Sequence, residues 1–149
     1  MLRKFVIGVS LGASFFMTGC ASVPMAPVEQ DTAMKKFEAP TDGNAGVYVY
    51  RNTFVGQALK KTVTLDGQVI GETANKVYFY KKITPGEHVL STESEFSDNT
   101  LNFSAEAGHN YFFEQYIKMG VFVGGANVKA VSESEGMAGV NQCNLAQGN

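Results

Sequence analysis

Val63-Thr64-Leu65-Asp66-Gly67-Gln68-Val69-Ile70-Gly71-Glu72 is the stretch on which the fold turns. Asp-Gly between two apolar runs is the strongest short hairpin signal, because a type I′ turn needs positive φ at both central residues. On its N-terminal side Val63 and Leu65 alternate with Thr62 and Thr64, the period of a half-buried strand. The same period recurs outward. Val47 and Val49 alternate with Tyr48 and Tyr50; Val77, Phe79 and Ile83 with Tyr78 and Tyr80; Leu101, Phe103 and Ala105 with Asn102, Ser104 and Glu106. Thr84-Pro85-Gly86-Glu87 and Ala107-Gly108-His109-Asn110 supply further tight turns. The pattern predicts an all-β domain over residues 45–149: an antiparallel β-sandwich of about seven or eight short strands. Ser132-Glu133-Ser134-Glu135 matches a capping box and predicts a short C-terminal helix from Glu133 towards Cys143, weakened by Gly136 and Gly139.

The N-terminus is of another kind. Arg3 and Lys4 precede the uncharged apolar run Phe5–Phe16, and Met17-Thr18-Gly19-Cys20 follows. The run is shorter than the roughly twenty residues a spanning helix needs, and fits the apolar centre of a cleaved signal. The four residues ending in Cys20 resemble the lipobox of bacterial lipoproteins. That resemblance implies a signal peptide over residues 1–19, cleavage between Gly19 and Cys20, and lipid (diacylglycerol and an N-acyl chain such as palmitate) on Cys20. Several acyl chains at about 0.8 kcal/mol per buried methylene make such an anchor durable. Ala21 rather than Asp after the cysteine resembles the sorting pattern for the outer membrane, which implies a periplasm-facing location. Residues 20–44 carry Pro24, Pro27 and Pro40 and close on Thr41-Asp42-Gly43-Asn44. They read as a flexible tether of roughly 27 Å mean span, with at most a short helix over Asp31–Phe37 capped by Asp31.

The chain of 149 residues has a net charge of −2, and losing Arg3 and Lys4 with the leader takes it to −4. An acidic balance gives no reason to expect nucleic acid as a partner. Of the two cysteines, lipid on Cys20 leaves Cys143 with no intramolecular partner, so stability must come from an apolar core.

The quoted hairpin, together with Pro85-Gly86-Glu87-His88, resembles the PEGA-type small β-sandwich. More closely, AGVYVYRN (45–52), VTLDGQVIGE (63–72), TPGEHVLSTESEFSD (84–98) and YIKMGVFVGGANV (116–128) resemble an uncharacterised family of bacterial lipoproteins known as a domain of unknown function. The resemblance implies a β-sandwich at the cell envelope and brings no catalytic residues.

Candidate sites are few. His88 and His109 follow turn glycines, where polar side chains face water, and neither lies at metal-ligand spacing from the other or from Cys143. Glu93, Glu95 and Asp98 read as a solvated strand end, without the spacing of a Ca²⁺ loop. No catalytic residue, metal or cofactor is expected. Two features stand out. Tyr48, Tyr50, Tyr78 and Tyr80 share the parity opposite the aliphatic core. They line either an outer face suited to glycan or protein contacts, or a face covered by a second sheet or the C-terminal helix. Met119-Gly120-Val121-Phe122-Val123-Gly124-Gly125 is either a core strand with Val121 and Val123 buried and Phe122 opposite, or an exposed apolar loop; the rarity of exposed apolar patches favours the strand. The expected role is that of a lipid-anchored, non-catalytic binding or scaffolding module meeting another envelope protein or cell-wall glycan. The alternatives are a glycan or small-ligand module on the tyrosine face and, behind it, a hydrolase.

Overall fold

The computed structural model describes residues 21–149; the expected signal peptide over residues 1–19, with its cleavage site at Gly19, and the expected lipidation site Cys20 lie outside the described residues. The strands are β1 (Ala45–Arg51), β2 (Lys61–Leu65), β3 (Gln68–Thr73), β4 (Val77–Ile83), β5 (Gly86–Thr92), β6 (Asn99–Ala105), β7 (Asn110–Lys118), β8 (Gly125–Val131) and the two-residue β9 (Asn144–Leu145). Helix α1 (Val28–Met34) precedes them, and α2 (Glu133–Asn141) lies between β8 and β9. A five-stranded sheet, β8-β7-β1-β4-β9, faces a four-stranded one, β3-β2-β5-β6. The all-β sandwich with a short C-terminal helix is therefore as the alternation implies. Two pairings are parallel, β1 with β7 and β4 with β9, so the sandwich is not antiparallel throughout.

Successive strands reverse direction, which sorts the connections to two ends. At one, the turn end, lie Asp66-Gly67, Thr84-Pro85 and residues 106–109. At the other, the loop end, lie the longer connections 52–60, 93–98 and 119–124. Asp66 and Gly67 have φ of 52° and 76°, the left-handed pair that the Asp-Gly hairpin requires.

β1 is buried at all seven positions, because it is a central strand covered on both faces. Ala45, Val47 and Val49 enter the inter-sheet core with Val63, Phe79, Leu90 and Phe113. Tyr48 and Tyr50 join Tyr78, Phe112 and Val140 in a second apolar layer on the outer face. The tyrosine face is consequently not an open platform: Tyr48, Tyr50 and Tyr78 are buried, and only Tyr80 is partly exposed. Two covers lie on it. One is α2, whose N-cap Ser132 Oγ accepts a hydrogen bond from Glu135 N at 3.3 Å. Its two glycines, which lower helix propensity, are what lets it sit close. A Cβ at Gly136 would overlap Phe112, and one at Gly139 would overlap the Tyr50 ring.

The other cover corrects the expectation of a free tether. Residues 21–44 are strapped across the sheet. Met25 bridges to Ala146, Ala26 N donates to Leu145 O at 2.9 Å, and Gln147 N donates to Pro24 O at 2.9 Å. Asp31 is not a helix cap but sits within α1, where its carboxylate accepts from Leu145 N at 2.9 Å and Lys35 Nζ at 2.8 Å. The Tyr48 hydroxyl donates to the Met34 carbonyl at 2.9 Å, satisfying an acceptor that the end of α1 leaves open. Asn110 Nδ2 reaches Phe37 O at 3.0 Å, near the turn end. The physical reason is the apolar outer face itself, on which Ala26, Met34 and Phe37 pack beside Val140 of α2.

Substituting Gly139→Val should push α2 off Tyr50 and cost about 1–3 kcal/mol, as overpacking does. A melting temperature several degrees lower is expected, and an unchanged one would contradict this packing.

Candidate functional site

β7 and β8 pair from Phe112↔Val131 to Lys118↔Gly125, and there the ladder ends. Residues 119–124 have no strand beside them and form the connecting loop. Met119, Val121, Phe122 and Val123 are 85%, 77%, 83% and 57% exposed, so the expected buried strand is not found: this is an exposed apolar loop. Its backbone is nevertheless well satisfied. The Glu95 carboxylate, from the β5–β6 connection, accepts from Val121 N at 2.6 Å, from Phe122 N, and from Val123 N at 3.3 Å. Gly120 is needed for this wrap, since a Cβ there would overlap Val123 O and the carboxylate. Partial burial alone pushes the Glu95 pKa up, but the three amides outweigh it and hold the carboxyl below its ordinary value. Glu95 is thus the brace of the loop and not a solvated strand end.

The same end of the sandwich exposes more apolar surface. Phe54 and Val55 in the 52–60 connection are 79% and 48% exposed, and Phe96, beside Glu95, is 78% exposed. The 52–60 connection is held by Arg51, fully buried at the end of β1, which donates to the Leu59 carbonyl at 2.7 Å and to the Gly56 carbonyl. Burial lowers the Arg51 pKa, and the two carbonyls serve the guanidinium in place of a carboxylate. The loops are in contact. Gly56 approaches the Ile117 side chain, Gly124 approaches Leu59, and Gly125 approaches Ser94. Arg51, Phe54, Val55 and Phe96 were not singled out by sequence pattern as a site, and Glu95 was weighed only as one of three solvated acids. The visible signal was two apolar residues between Thr53 and Gly56, and a Glu-Phe pair within a serine-rich connection.

The other candidates are placed as follows. Burial raises the phenol pKa values of Tyr48, Tyr50 and Tyr78 above their ordinary 10. Tyr80 lines a groove of about 340 Å³ between α1, β4 and the C-terminal residues, with Ala26, Met34 and Leu145 in its wall. Cys143 is buried, its Sγ lies 3.6 Å from the Arg51 carbonyl, and burial pushes the thiol pKa up to about 12, so it is no thiolate at neutral pH. His88 does not face water as expected. It lies inside β5, where Nδ1 meets Asp66 Oδ2 at 2.7 Å and Nε2 meets Thr84 O at 2.8 Å. Burial alone lowers its pKa, and Asp66 and the Thr84 carbonyl more than restore it, to above 6.5. The Asp66-Gly67 hairpin is thereby tied to the following one. His109 is exposed, 4.0 Å from Glu106. A polar bridge joins the sheets, with Gln115 of β7 between Thr73 of β3 and Thr92 of β5 and its Nε2 2.6 Å from Thr92 Oγ1. Among the described residues no three His, Cys, Asp or Glu side chains are grouped as a metal site, and no helix is long and apolar enough to cross a membrane.

Residues 41–126 match the family described as Protein of unknown function (DUF2846). The chain belongs to this family. It is also 51% identical, over 97% of its length and 83% of the other's, to a protein of Haemophilus influenzae (strain ATCC 51907 / DSM 11121 / KW20 / Rd) described as "Uncharacterized protein". No solved structure matches. The matched segment runs from just before β1 to the start of β8, so it includes all three connections of the loop end.

Replacing Val121 with Asp should leave the melting temperature within a degree or two, because the side chain already stands in water. Glu95→Gln should instead speed hydrogen exchange at the amides of Val121, Phe122 and Val123 at least tenfold. A cooperative loss of fold in Val121→Asp would contradict the loop assignment.

Proposed function

We propose that this protein is a lipoprotein held at the cell envelope through lipid on Cys20, and that it acts there as a non-catalytic binding or scaffolding module. The observation that carries the reading is the Met17-Thr18-Gly19-Cys20 motif set directly before a folded domain. Ala21, the next residue, already packs on the sandwich and donates from its backbone N to the Gln57 carbonyl at 3.3 Å. Ala21 in place of an aspartate favours the outer membrane, with the domain in the periplasm. The braced apolar loop at Met119–Val123 supports contact as the mode of action, since exposed apolar patches mark interaction sites. The groups that would serve hydrolysis are engaged otherwise: His88 with Asp66 and Thr84, and Cys143 buried against the Arg51 carbonyl. A small-ligand role finds support in the groove beside Tyr80, whereas the burial of Tyr48, Tyr50 and Tyr78 removes the aromatic platform a glycan would need.

Labelling cells with radioactive palmitate tests the anchor. The native chain should be labelled and sediment with membranes, and Cys20→Ser should be unlabelled and either released or left uncleaved. A Cys20→Ser product that is still processed, labelled and membrane-bound would overturn the reading.

A further inference from the structure

Exposed apolar side chains are not spread evenly over this molecule. Eleven large ones are exposed among the described residues, and seven of them stand at the loop end: Phe54 and Val55, Phe96, and four between Met119 and Val123. They include the three most exposed phenylalanines, all above 75%. The turn end presents instead Asp66, Thr84, Glu87, Glu106 and His109. Soluble surfaces rarely gather apolar groups in this way without something to cover them.

What covers them is indicated by where Ala21 sits. Ala21 N is bonded to the carbonyl of Gln57, two residues from Val55 in the connection that carries Phe54. Cys20 is one peptide unit further, about 3.8 Å between Cα atoms. Ala21 and Val23 pack against the sandwich core and the Pro24 carbonyl accepts from Gln147 N, so the chain is on the domain from Ala21 onward. Any lipid on Cys20 therefore emerges at the loop end, among the apolar loops. We infer that the loop end is a membrane-docking face, with Phe54, Phe96 and Phe122 entering the interfacial region of the same bilayer that holds the Cys20 lipid. This inference rests on the lipoprotein reading above.

The build of the loops suits that place. Aromatic and aliphatic side chains partition into the headgroup boundary, whereas backbone amides without partners do not. Glu95 supplies partners to three amides of the 119–124 loop, and Arg51 supplies donors to two carbonyls of the 52–60 loop. Both loops can thus present side chains to lipid with these backbone groups already occupied. Lys60 and Lys118, exposed at the margins of the two loops, are positioned for lipid phosphates. The domain would then stand upright, its turn end pointing away from the membrane.

The chain has no tryptophan, so a single introduced one reports its own surroundings. The full-length protein carrying Phe122→Trp, Phe96→Trp or, at the turn end, Glu87→Trp is produced in cells and placed in vesicles of phosphatidylethanolamine and phosphatidylglycerol with brominated acyl chains. Emission from positions 122 and 96 should shift to the blue and be quenched at least twofold, and emission from position 87 should not. Unquenched, solvent-like emission at 122 and 96 in protein that carries palmitate label would overturn the docking face, leave the anchor standing, and give the apolar end to a protein partner. Quenching at 122 and 96 without label on Cys20 would uphold the face and overturn the anchor. Equal quenching at all three positions would overturn the upright orientation.

Discussion

A sheet that is apolar on both faces has to be covered twice. That constraint, written in β1 as alternating valine and tyrosine, organises the rest of this structure. The inner face is closed by the four-stranded sheet, the usual solution in a sandwich. The outer face is closed by α2, which can approach only because Gly136 and Gly139 leave room for Phe112 and Tyr50, and by the chain from Met25 to Phe37. The second cover has consequences beyond stability. It draws residues 24–37, which the proline-rich sequence suggested as a spacer, into the folded body. A segment that would have been a spacer is instead a strap that closes the outer face.

The strap and the alternating strand directions together give the molecule two unlike ends. The turn end is polar and rigid, with Asp66 shared between its own hairpin, the Val89 amide and the His88 ring. The loop end is apolar and equally well held, but by long-range polar contacts: a buried guanidinium under one loop and a carboxylate wrapped by another. Both devices satisfy backbone groups that would otherwise need water. An end built in this way can give up its water at small cost, as a surface that meets lipid or an apolar partner must.

Much of the fold was legible from residue order because its signals are local. Asp66-Gly67 needs two left-handed residues and has them, and Ser132 and Glu135 form the cap that their spacing implies. Alternation correctly placed Val47, Val49, Val63 and Phe79 in the core. Alternation carries parity, however, and says nothing of what lies over the second face, so the tyrosines could be read as open or closed until the strap was seen. Met119–Gly125 failed for a related reason. An apolar run flanked by glycine looks the same as a buried strand or a braced loop, and the brace, Glu95, lies more than twenty residues away in sequence. His88 was misplaced because the turn ends at Gly86 and the strand begins there, which carries the ring inside β5.

The central claim is that residues 24–37 form part of the folded body and are not a free tether. Amide hydrogen exchange on the native protein tests this most directly. Ala26 N and Gln147 N, hydrogen-bonded to Leu145 and Pro24, should exchange as slowly as the amide of Ala146, which is bonded to Tyr78 O beside β4. Exchange at Ala26 and Gln147 as fast as in an unstructured peptide, with the Ala146 amide still protected, would mean that the strap is a loose tether and would contradict the account.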